Sequence, residues 1–142
     1  MSKLNVYLSN IFVFNQKLHN LHWNVTGTNF KAVHEYLEEI YDGQFEKLDE
    51  VAEYIRFIGE RPLAQINEYL EHATIKEIPG DRDYPIKETL EITLADLELM
   101  RDLAKEVREE EDEDDNFEIV NLLEDHIAEY SKQIWFVKSM LA

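Results

Sequence analysis

Apolar residues recur at three- and four-residue steps in four long stretches of the chain, a spacing typical of amphipathic helices. The first stripe runs from Leu4 to Val25 and the second from Phe30 to Ile58. The third begins at Ile86 and continues to Val107, and the fourth begins at Phe117 and continues to Leu141. Because only four glycines and three prolines interrupt the chain, the pattern predicts a few long helices rather than many short strands.

The ends of the second predicted helix are marked by residues that favour helix boundaries. Asn29 occupies an N-cap position, and Gly59 supplies a C-terminal stop. The segment 63–70 predicts two short turns of helix, and the proline- and glycine-containing segment 78–85 predicts a long connection. A connection of this length can cross a helical bundle.

The order of short and long links predicts the architecture. Short links join the members of each helix pair, and the long link joins the two pairs, which describes an all-α, ferritin-like four-helix bundle with a short extra helix in the long connection between the second and third helices. The sequence has no internal repeat and no sign of a second domain, so we expect a single domain over residues 1–142. Phe12 and Val13 broaden the apolar stripe of the first helix, which predicts contact with a second copy of the chain.

The charge and composition of the chain exclude several classes of function. A net charge of −17, from 31 acidic and 14 basic side chains, opposes binding to nucleic-acid phosphates or anionic membranes. The absence of cysteine excludes disulfides and thiolate metal sites, so any metal ligand must be nitrogen or oxygen. No apolar run approaches the roughly 20 residues of a membrane span, and Asn5, Ser9 and Asn10 interrupt any signal-peptide core. A soluble protein is expected, and a cytoplasmic location fits it.

Two of the five histidines frame the first turn of the predicted bundle. His22 lies four residues before Thr26, and His34 lies five residues after Asn29, so an antiparallel hairpin holds both at similar height. Two imidazoles that converge in this way suit a transition metal such as iron or zinc. The simpler alternative is that each histidine packs in the core or faces water.

Two carboxylates share a face further along the second predicted helix. Asp49 and Glu53 are four residues apart and can offer two carboxylates to one ion, although such pairs are also common on solvated helix faces. A straight helix would hold His34 and Asp49 about 22 Å apart, so one chain cannot bring both to one ion. A joint site would have to form between two subunits across a two-fold axis.

A di-iron centre inside one bundle is the competing arrangement. Such a centre needs Glu-x-x-His motifs on two helices. No histidine here has a glutamate three residues before it, because the residues at that offset are Gln16, His19, Lys31, Tyr69 and Leu123. The absence of this motif therefore excludes a di-iron centre within a single chain. It does not exclude a site between two subunits.

Three motifs follow one another along the first two predicted helices. They are His22-Trp23 within the segment 17–27, Phe30-x-x-x-His34, and Asp49-x-x-x-Glu53 followed by Ile58-Gly59. In this order they resemble the Dps family of ferritin-like mini-ferritins, and the resemblance spans nearly the whole chain. It implies a hollow shell of twelve subunits that oxidises iron(II), preferably with hydrogen peroxide, and stores the product as a ferric mineral.

The resemblance also implies how the iron site is divided. His22 and His34 would come from one subunit, and Asp49 and Glu53 from its two-fold partner, as ligands to mononuclear or dinuclear iron. Glu38, one turn after His34, matches a position where family members place a further carboxylate ligand.

The remaining aromatic and histidine residues near these motifs receive simpler interpretations. Trp23 is expected to pack against neighbouring side chains rather than trap stray oxidising equivalents. His19 is expected to be structural, and His72 and His126 give no clear signal of function.

Seven consecutive acids, from Glu109 to Asp115, separate the last two apolar stripes. They form either a solvated turn or, at the start of the fourth helix, the lining of a pore that raises the local iron concentration. Glu118, Asn121 and Asp125 are the next candidates along that helix.

Two other functions compete with iron storage. An acidic helical scaffold that binds basic partners would leave the histidine and carboxylate positions accidental. DNA compaction, which many Dps proteins perform through a lysine-rich extension, is opposed here, because only Lys3 and Lys17 precede His22 and the chain ends at Ala142 without a basic tail. We therefore expect no appreciable DNA binding at physiological salt.

Overall fold

Helices dominate the computed structural model, which describes residues 1–142. In chain order the elements are α1 (Lys3–Asn24), β1 (Val25–Thr26), α2 (Phe30–Phe57), α3 (Ile66–His72), β2 (Tyr84–Pro85), α4 (Ile86–Glu113) and α5 (Phe117–Leu141). The four apolar stripes therefore correspond to the four long helices, and the predicted short turns correspond to α3. The all-α, ferritin-like bundle with a short extra helix is confirmed.

The helices pack as two antiparallel pairs that share one core. Helix α1 packs against α2, α4 packs against α5, and α1 also contacts α3 and α4. Apolar side chains from all five helices line the interior, and Leu8, Ile11, Leu97 and Leu123 are each fully buried there. Because each long helix buries one stripe and exposes the opposite face to solvent, the 3.6-residue period of the sequence becomes the core of the bundle.

The two-residue strands β1 and β2 pair with each other and so attach the long connection to the turn between α1 and α2. The sequence did not predict this pairing. Val25 pairs with Tyr84, and Thr26 pairs with Pro85, in a parallel arrangement. The buried Tyr84 hydroxyl also donates a hydrogen bond to the Pro79 carbonyl at 2.7 Å. The end of the connection is thereby fixed beside the turn between α1 and α2.

The breadth of the α1 stripe has an explanation within the chain. Phe12 stacks on Tyr69 of α3 with ring centroids 4.7 Å apart, and Val13 is buried. These two residues therefore give no support for contact with a second subunit, which stays a prediction. Aromatic side chains that are at least 60% exposed lie elsewhere, at Trp23, Phe45, Phe57, Phe117 and Trp135.

The ends of α2 agree with the predicted boundaries in position. The helix ends at Phe57, and Gly59 follows with φ +82°, a left-handed conformation that terminates helices. Asn29 stands at the N-cap, but its side chain makes no capping hydrogen bond.

The acidic run belongs mainly to the C-terminal end of α4, which is the third long helix. This corrects its predicted place at the start of the fourth long helix, which is α5. Glu109 to Glu113 form the last turn of α4, and the chain reverses at Asp115, whose φ is +58°. Acidic side chains are disfavoured at a helix C-terminus by the helix dipole. Arg108 offsets part of this repulsion through ion pairs with carboxylates of the run and of α5, namely Glu109, Asp112 and Glu124.

No helix in the structure combines the length and the apolar character needed to traverse a lipid bilayer.

Candidate functional site

The tight turn between α1 and α2 brings two histidine rings into contact. His22 lies in the last turn of α1, and His34 lies in the second turn of α2. Their imidazoles stack with centroids 3.6 Å apart and an interplanar angle of 10°. The Phe30 ring also stacks on His34, at 4.9 Å, so His34 packs against both His22 and Phe30. We call His22 and His34 the histidine corner.

Reciprocal hydrogen bonds fix which nitrogen of each ring is free. The Nδ1 atom of His22 lies 2.6 Å from the His34 carbonyl oxygen, and the Nδ1 atom of His34 lies 2.6 Å from the His22 carbonyl oxygen. Since a carbonyl oxygen only accepts, each Nδ1 carries the proton and donates it. A neutral imidazole in this tautomer has its lone pair on Nε2, the arrangement found in metal-binding histidines.

Glu38 lies at the edge of the histidine corner. Its Oε1 atom is 3.8 Å from Nε2 of His22 and accepts a hydrogen bond from the Tyr41 hydroxyl at 3.2 Å. The Tyr41 ring in turn meets the His22 ring edge-on and stacks on His19. The carboxylate of Glu38 is thus oriented by Tyr41 and remains about half exposed.

His19 and Trp23 have different environments from each other. The Nδ1 atom of His19 is hydrogen bonded to the Asn15 carbonyl at 2.7 Å within α1. Trp23 contacts the His19 ring at 5.6 Å but is 63% exposed, so it does not belong to the core of its own chain. The expected packing of Trp23 is therefore limited, within one chain, to its contact with His19.

Asp49 and Glu53 lie together on the exposed face of α2. They line a shallow cleft of about 390 Å³ with Glu50 and with neighbouring side chains of the same helix, namely Phe45, Glu46 and Tyr54. The negative charge of Asp49 raises the pKa of Glu53 above its ordinary value. Since no cation of the chain neutralises this pair, the cleft attracts cations. We call Asp49, Glu50 and Glu53 the carboxylate face.

The histidine corner and the carboxylate face do not meet within one chain. The corner joins the end of α1 to the start of α2, whereas the carboxylate face lies near the end of α2. No three histidine, aspartate or glutamate side chains of the chain form a group able to hold a metal ion. The structure therefore brings His22, His34 and Glu38 together at one place and Asp49 and Glu53 at another.

A buried polar network beneath the carboxylate face was missed in the sequence. The Nε2 atom of His126 is 2.8 Å from Oε1 of Glu50, and its Nδ1 atom is 2.9 Å from the Tyr7 hydroxyl. The Tyr7 hydroxyl also lies 3.0 Å from that of Tyr130. The available signal was a histidine within the apolar stripe of α5, between Leu123 and Ile127.

The predicted pore residues share one exposed face of α5. Glu118, Asn121 and Asp125 recur at three- and four-residue steps and are all exposed. They begin just after the acidic end of α4, so the two acidic segments lie close together around the α4–α5 turn.

Comparisons with known proteins agree with this architecture. A family model described as a ferritin-like domain matches residues 1–142. The DNA protection during starvation protein of Listeria innocua is 33% identical over 138 residues, which cover 97% of this chain and 88% of that protein. The protein of the same name from Helicobacter pylori is 32% identical over 126 residues, covering 89% and 87%. The crystal structure of a Dps protein from Bacillus brevis has a TM-score of 0.94 at 33% identity, covering 99% of this chain and 93% of that one.

Proposed function

Because the chain belongs to the ferritin-like Dps family, we propose that it oxidises iron(II) and stores the ferric product inside a dodecameric shell in the cytoplasm. Hydrogen peroxide is the preferred oxidant, and the protein limits oxidative damage by consuming both reactants. The observation that carries the proposal is that each chain presents two preformed nitrogen ligands and, far from them, an unneutralised carboxylate pair.

Two subunits complete one ferroxidase site in this proposal. His22 and His34 of one protomer face Asp49 and Glu53 of its partner, and two-fold symmetry forms the same contact twice. Glu38 adds a carboxylate from the histidine side. One or two iron ions bind there as substrate.

The ligand types divide the chemical work. Imidazole nitrogen is a borderline ligand that suits iron(II), whereas carboxylate oxygen is a hard donor that stabilises the iron(III) product. Two iron(II) ions give one electron each to hydrogen peroxide, the O–O bond breaks, and two protons complete two water molecules. Because peroxide receives both electrons, no hydroxyl radical is released.

Acidic surfaces serve iron entry. The end of α4 and the exposed face formed by Glu118, Asn121 and Asp125 raise the local cation concentration near the α4–α5 turn. In the shell these segments line pores through which iron(II) reaches the interior, where further carboxylates nucleate the ferric mineral.

Complementation between two inactive variants tests the shared site. His34→Ala and Asp49→Ala subunits are unfolded together, refolded as a one-to-one mixture, loaded anaerobically with iron(II) and given hydrogen peroxide. A site between chains is intact only when an Asp49→Ala subunit supplies the histidines and a His34→Ala subunit supplies the carboxylates. With random pairing, about one site in four is then restored.

Each variant refolded alone is the control, and both remain inactive. Ferric absorbance that returns in the mixture, together with a mass near twelve subunits of 16.9 kDa, supports the proposal. A mixture as inactive as its parents, beside an active refolded wild type, contradicts the shared site. A well-folded wild-type dimer that is indifferent to iron favours an acidic scaffold instead.

DNA compaction is not part of the proposed function. A net charge of −17 per chain repels the phosphate backbone. We expect the metal-free protein to leave plasmid mobility unchanged in a gel at physiological salt. Clear retardation under these conditions would contradict this part of the proposal.

A further inference from the structure

A continuous chain of hydrogen bonds runs from the carboxylate face into the core. Glu50 is 2.8 Å from His126, His126 is 2.9 Å from Tyr7, and Tyr7 is 3.0 Å from Tyr130. Gln44 closes the inner end, since its amide nitrogen lies 3.2 Å from the Tyr130 hydroxyl. The path joins side chains of α1, α2 and α5.

The chemistry of the outermost group gives the chain a direction. The Glu50 carboxylate only accepts hydrogen bonds, so Nε2 of His126 donates and Nδ1 of the neutral ring accepts. The Tyr7 hydroxyl then donates to His126 and accepts from Tyr130. The Gln44 amide donates to Tyr130, so every polar group on the path is satisfied in one orientation.

Burial keeps the inner groups neutral. Tyr7 is fully buried and Tyr130 is 1% exposed. Desolvation raises the pKa of Tyr7 well above its ordinary value, so the phenol keeps its proton. Desolvation also lowers the pKa of His126 despite the hydrogen bond to Glu50. The neutral imidazole therefore keeps a lone pair on Nδ1 that can accept a proton.

The path ends where the proposed iron chemistry takes place. Glu50 follows Asp49 in the chain and lines the same cleft as Asp49 and Glu53. Two hydrogen bonds and one imidazole ring separate its carboxylate from the Tyr7 hydroxyl. An aromatic side chain that can be oxidised is thus connected to the carboxylate face but shielded from solvent.

We propose that Tyr7 is an internal electron donor that quenches one-electron oxidants formed at the carboxylate face, with His126 as its proton acceptor and Glu50 as the group that orients His126. The arrangement has the logic of a catalytic triad, in which a base within hydrogen-bond reach takes a proton and a carboxylate stabilises the resulting imidazolium.

The electron and proton balance is as follows. A single iron(II) ion that meets peroxide gives iron(III), hydroxide and hydroxyl radical. Tyr7 gives one electron to that radical, which becomes hydroxide, and the phenolic proton moves to Nδ1 of His126. A second iron(II) ion then returns an electron to the tyrosyl radical, and His126 returns the proton, so both iron ions are oxidised and no radical escapes.

This inference rests on the proposed function, since iron(II) and peroxide supply its oxidant. A network that served only to satisfy buried polar groups would have the same hydrogen bonds and no redox role. The two roles differ in one observable, because only an electron donor forms a tyrosyl radical during turnover.

Rapid-freeze electron paramagnetic resonance detects that radical. The wild-type protein is loaded anaerobically with iron(II), mixed with hydrogen peroxide and frozen within the turnover, while ferric absorbance is followed on the same mixture. We expect a free-radical signal whose hyperfine splitting collapses when the protein carries ring-deuterated tyrosine. This labelled wild type needs no substitution in the core, so it tests the proposal even if a core variant does not fold.

Substitutions then assign the signal. Tyr7→Phe abolishes it and raises the yield of spin-trapped hydroxyl radical, whereas Tyr84→Phe leaves both unchanged. Tyr84 is a matched control, because it is equally buried and its hydroxyl donates to a carbonyl rather than to a histidine. His126→Gln keeps the Tyr7 phenol but removes the proton acceptor, and we expect it to reduce the signal severalfold.

The outcomes separate this inference from the proposed function. Ferric absorbance without any tyrosyl signal, or with a signal that persists in a folded Tyr7→Phe protein, overturns the role of Tyr7 and leaves ferroxidase activity standing. Absence of ferric absorbance from the wild type overturns the proposed function and this inference together.

Discussion

Helix α2 contributes to both the histidine corner, through His34, and the carboxylate face, but the chain prepares the two regions differently. At the corner, stacked rings, reciprocal hydrogen bonds to carbonyl oxygens and the Phe30 ring hold each imidazole in one orientation. On the carboxylate face, Asp49 and Glu53 stand exposed without a cation, and the charge of Asp49 opposes the ionisation of Glu53.

If the two regions form one site, as proposed, the difference shows how a single chain can present its two halves. The imidazoles are organised before any metal arrives, because neutral ligands can be buried and hydrogen bonded at little electrostatic cost. The carboxylates repel one another until a cation binds, so this half gains its favourable interactions only from outside the chain. In the proposed function, a metal ion and a partner subunit supply the positive charge and the further ligands that the isolated carboxylate face lacks.

The largest expected effect comes from removing one ligand of each kind. His34→Ala and Asp49→Ala should each slow peroxide-dependent iron oxidation by about 100-fold or more. Only His34→Ala should also destabilise the protein, by about 1–3 kcal/mol, since it breaks the reciprocal hydrogen bonds. Stopped-flow absorbance gives the rates and urea unfolding of the metal-free protein gives the stabilities.

The matched control for both substitutions is Glu39→Gln, which changes an exposed acid on α2 outside both regions. A metal-free Asp49→Ala protein as destabilised as His34→Ala would break the comparison, because it would show that the carboxylate face also stabilises the fold.

Gly27→Ala should perturb the histidine corner alone. Gly27 has φ +143°, and a Cβ there would lie 2.9 Å from Cδ1 of Ile86, so we expect a loss of about 1–3 kcal/mol from backbone strain. Since Gly27 lies in the turn that holds His22 and His34 together, iron oxidation should slow as well. Thermal unfolding and stopped-flow absorbance measure the two effects.

Gly59→Ala is the control at the other end of α2. Gly59 also has a positive φ, but a Cβ there meets no atom within 4 Å. Its cost should be the left-handed conformation alone, roughly 1–2 kcal/mol, with no change in oxidation rate. Equal kinetic effects of the two substitutions would contradict a special role for the first turn.

Glu38→Gln sharpens the boundary of the histidine corner. The amide keeps an oxygen for the Tyr41 hydroxyl but loses the negative charge beside His22. We expect oxidation about 10-fold slower than in the wild type, an effect smaller than that of removing His34. A rate equal to that of Glu39→Gln would remove Glu38 from the site.

The smallest expected effect is a pH dependence beneath the carboxylate face. Burial lowers the pKa of His126 in the folded protein, so the unfolded chain binds more protons once the pH approaches the ordinary histidine value of about 6.5. The stabilising contribution is present above that pH and is lost as the pH falls. Urea unfolding of the metal-free protein between pH 7.5 and about 5.5, above most carboxylate titration, measures the slope.

His126→Gln should flatten this part of the stability profile, because the variant has no imidazole to protonate at that position. A slope unchanged by the substitution would show that other groups cause the acid sensitivity.

Local patterns determined the helices and the histidine corner. The 3.6-residue period of apolar positions predicted all four long helices, and Gly59 marked the end of α2, because these features depend only on neighbouring residues. The meeting of His22 and His34 was predictable for the same reason, since they lie 12 positions apart on either side of a tight turn.

Only the tertiary structure decided which side chains meet across the bundle. Phe12 packs on Tyr69 of α3, the acidic run extends α4, and His126 joins Tyr7 although 119 positions separate them. Such contacts depend on the register and rotation of one helix against another. A periodic sequence specifies the buried face of each helix, but the packing of all the helices together selects the partner of each residue on that face.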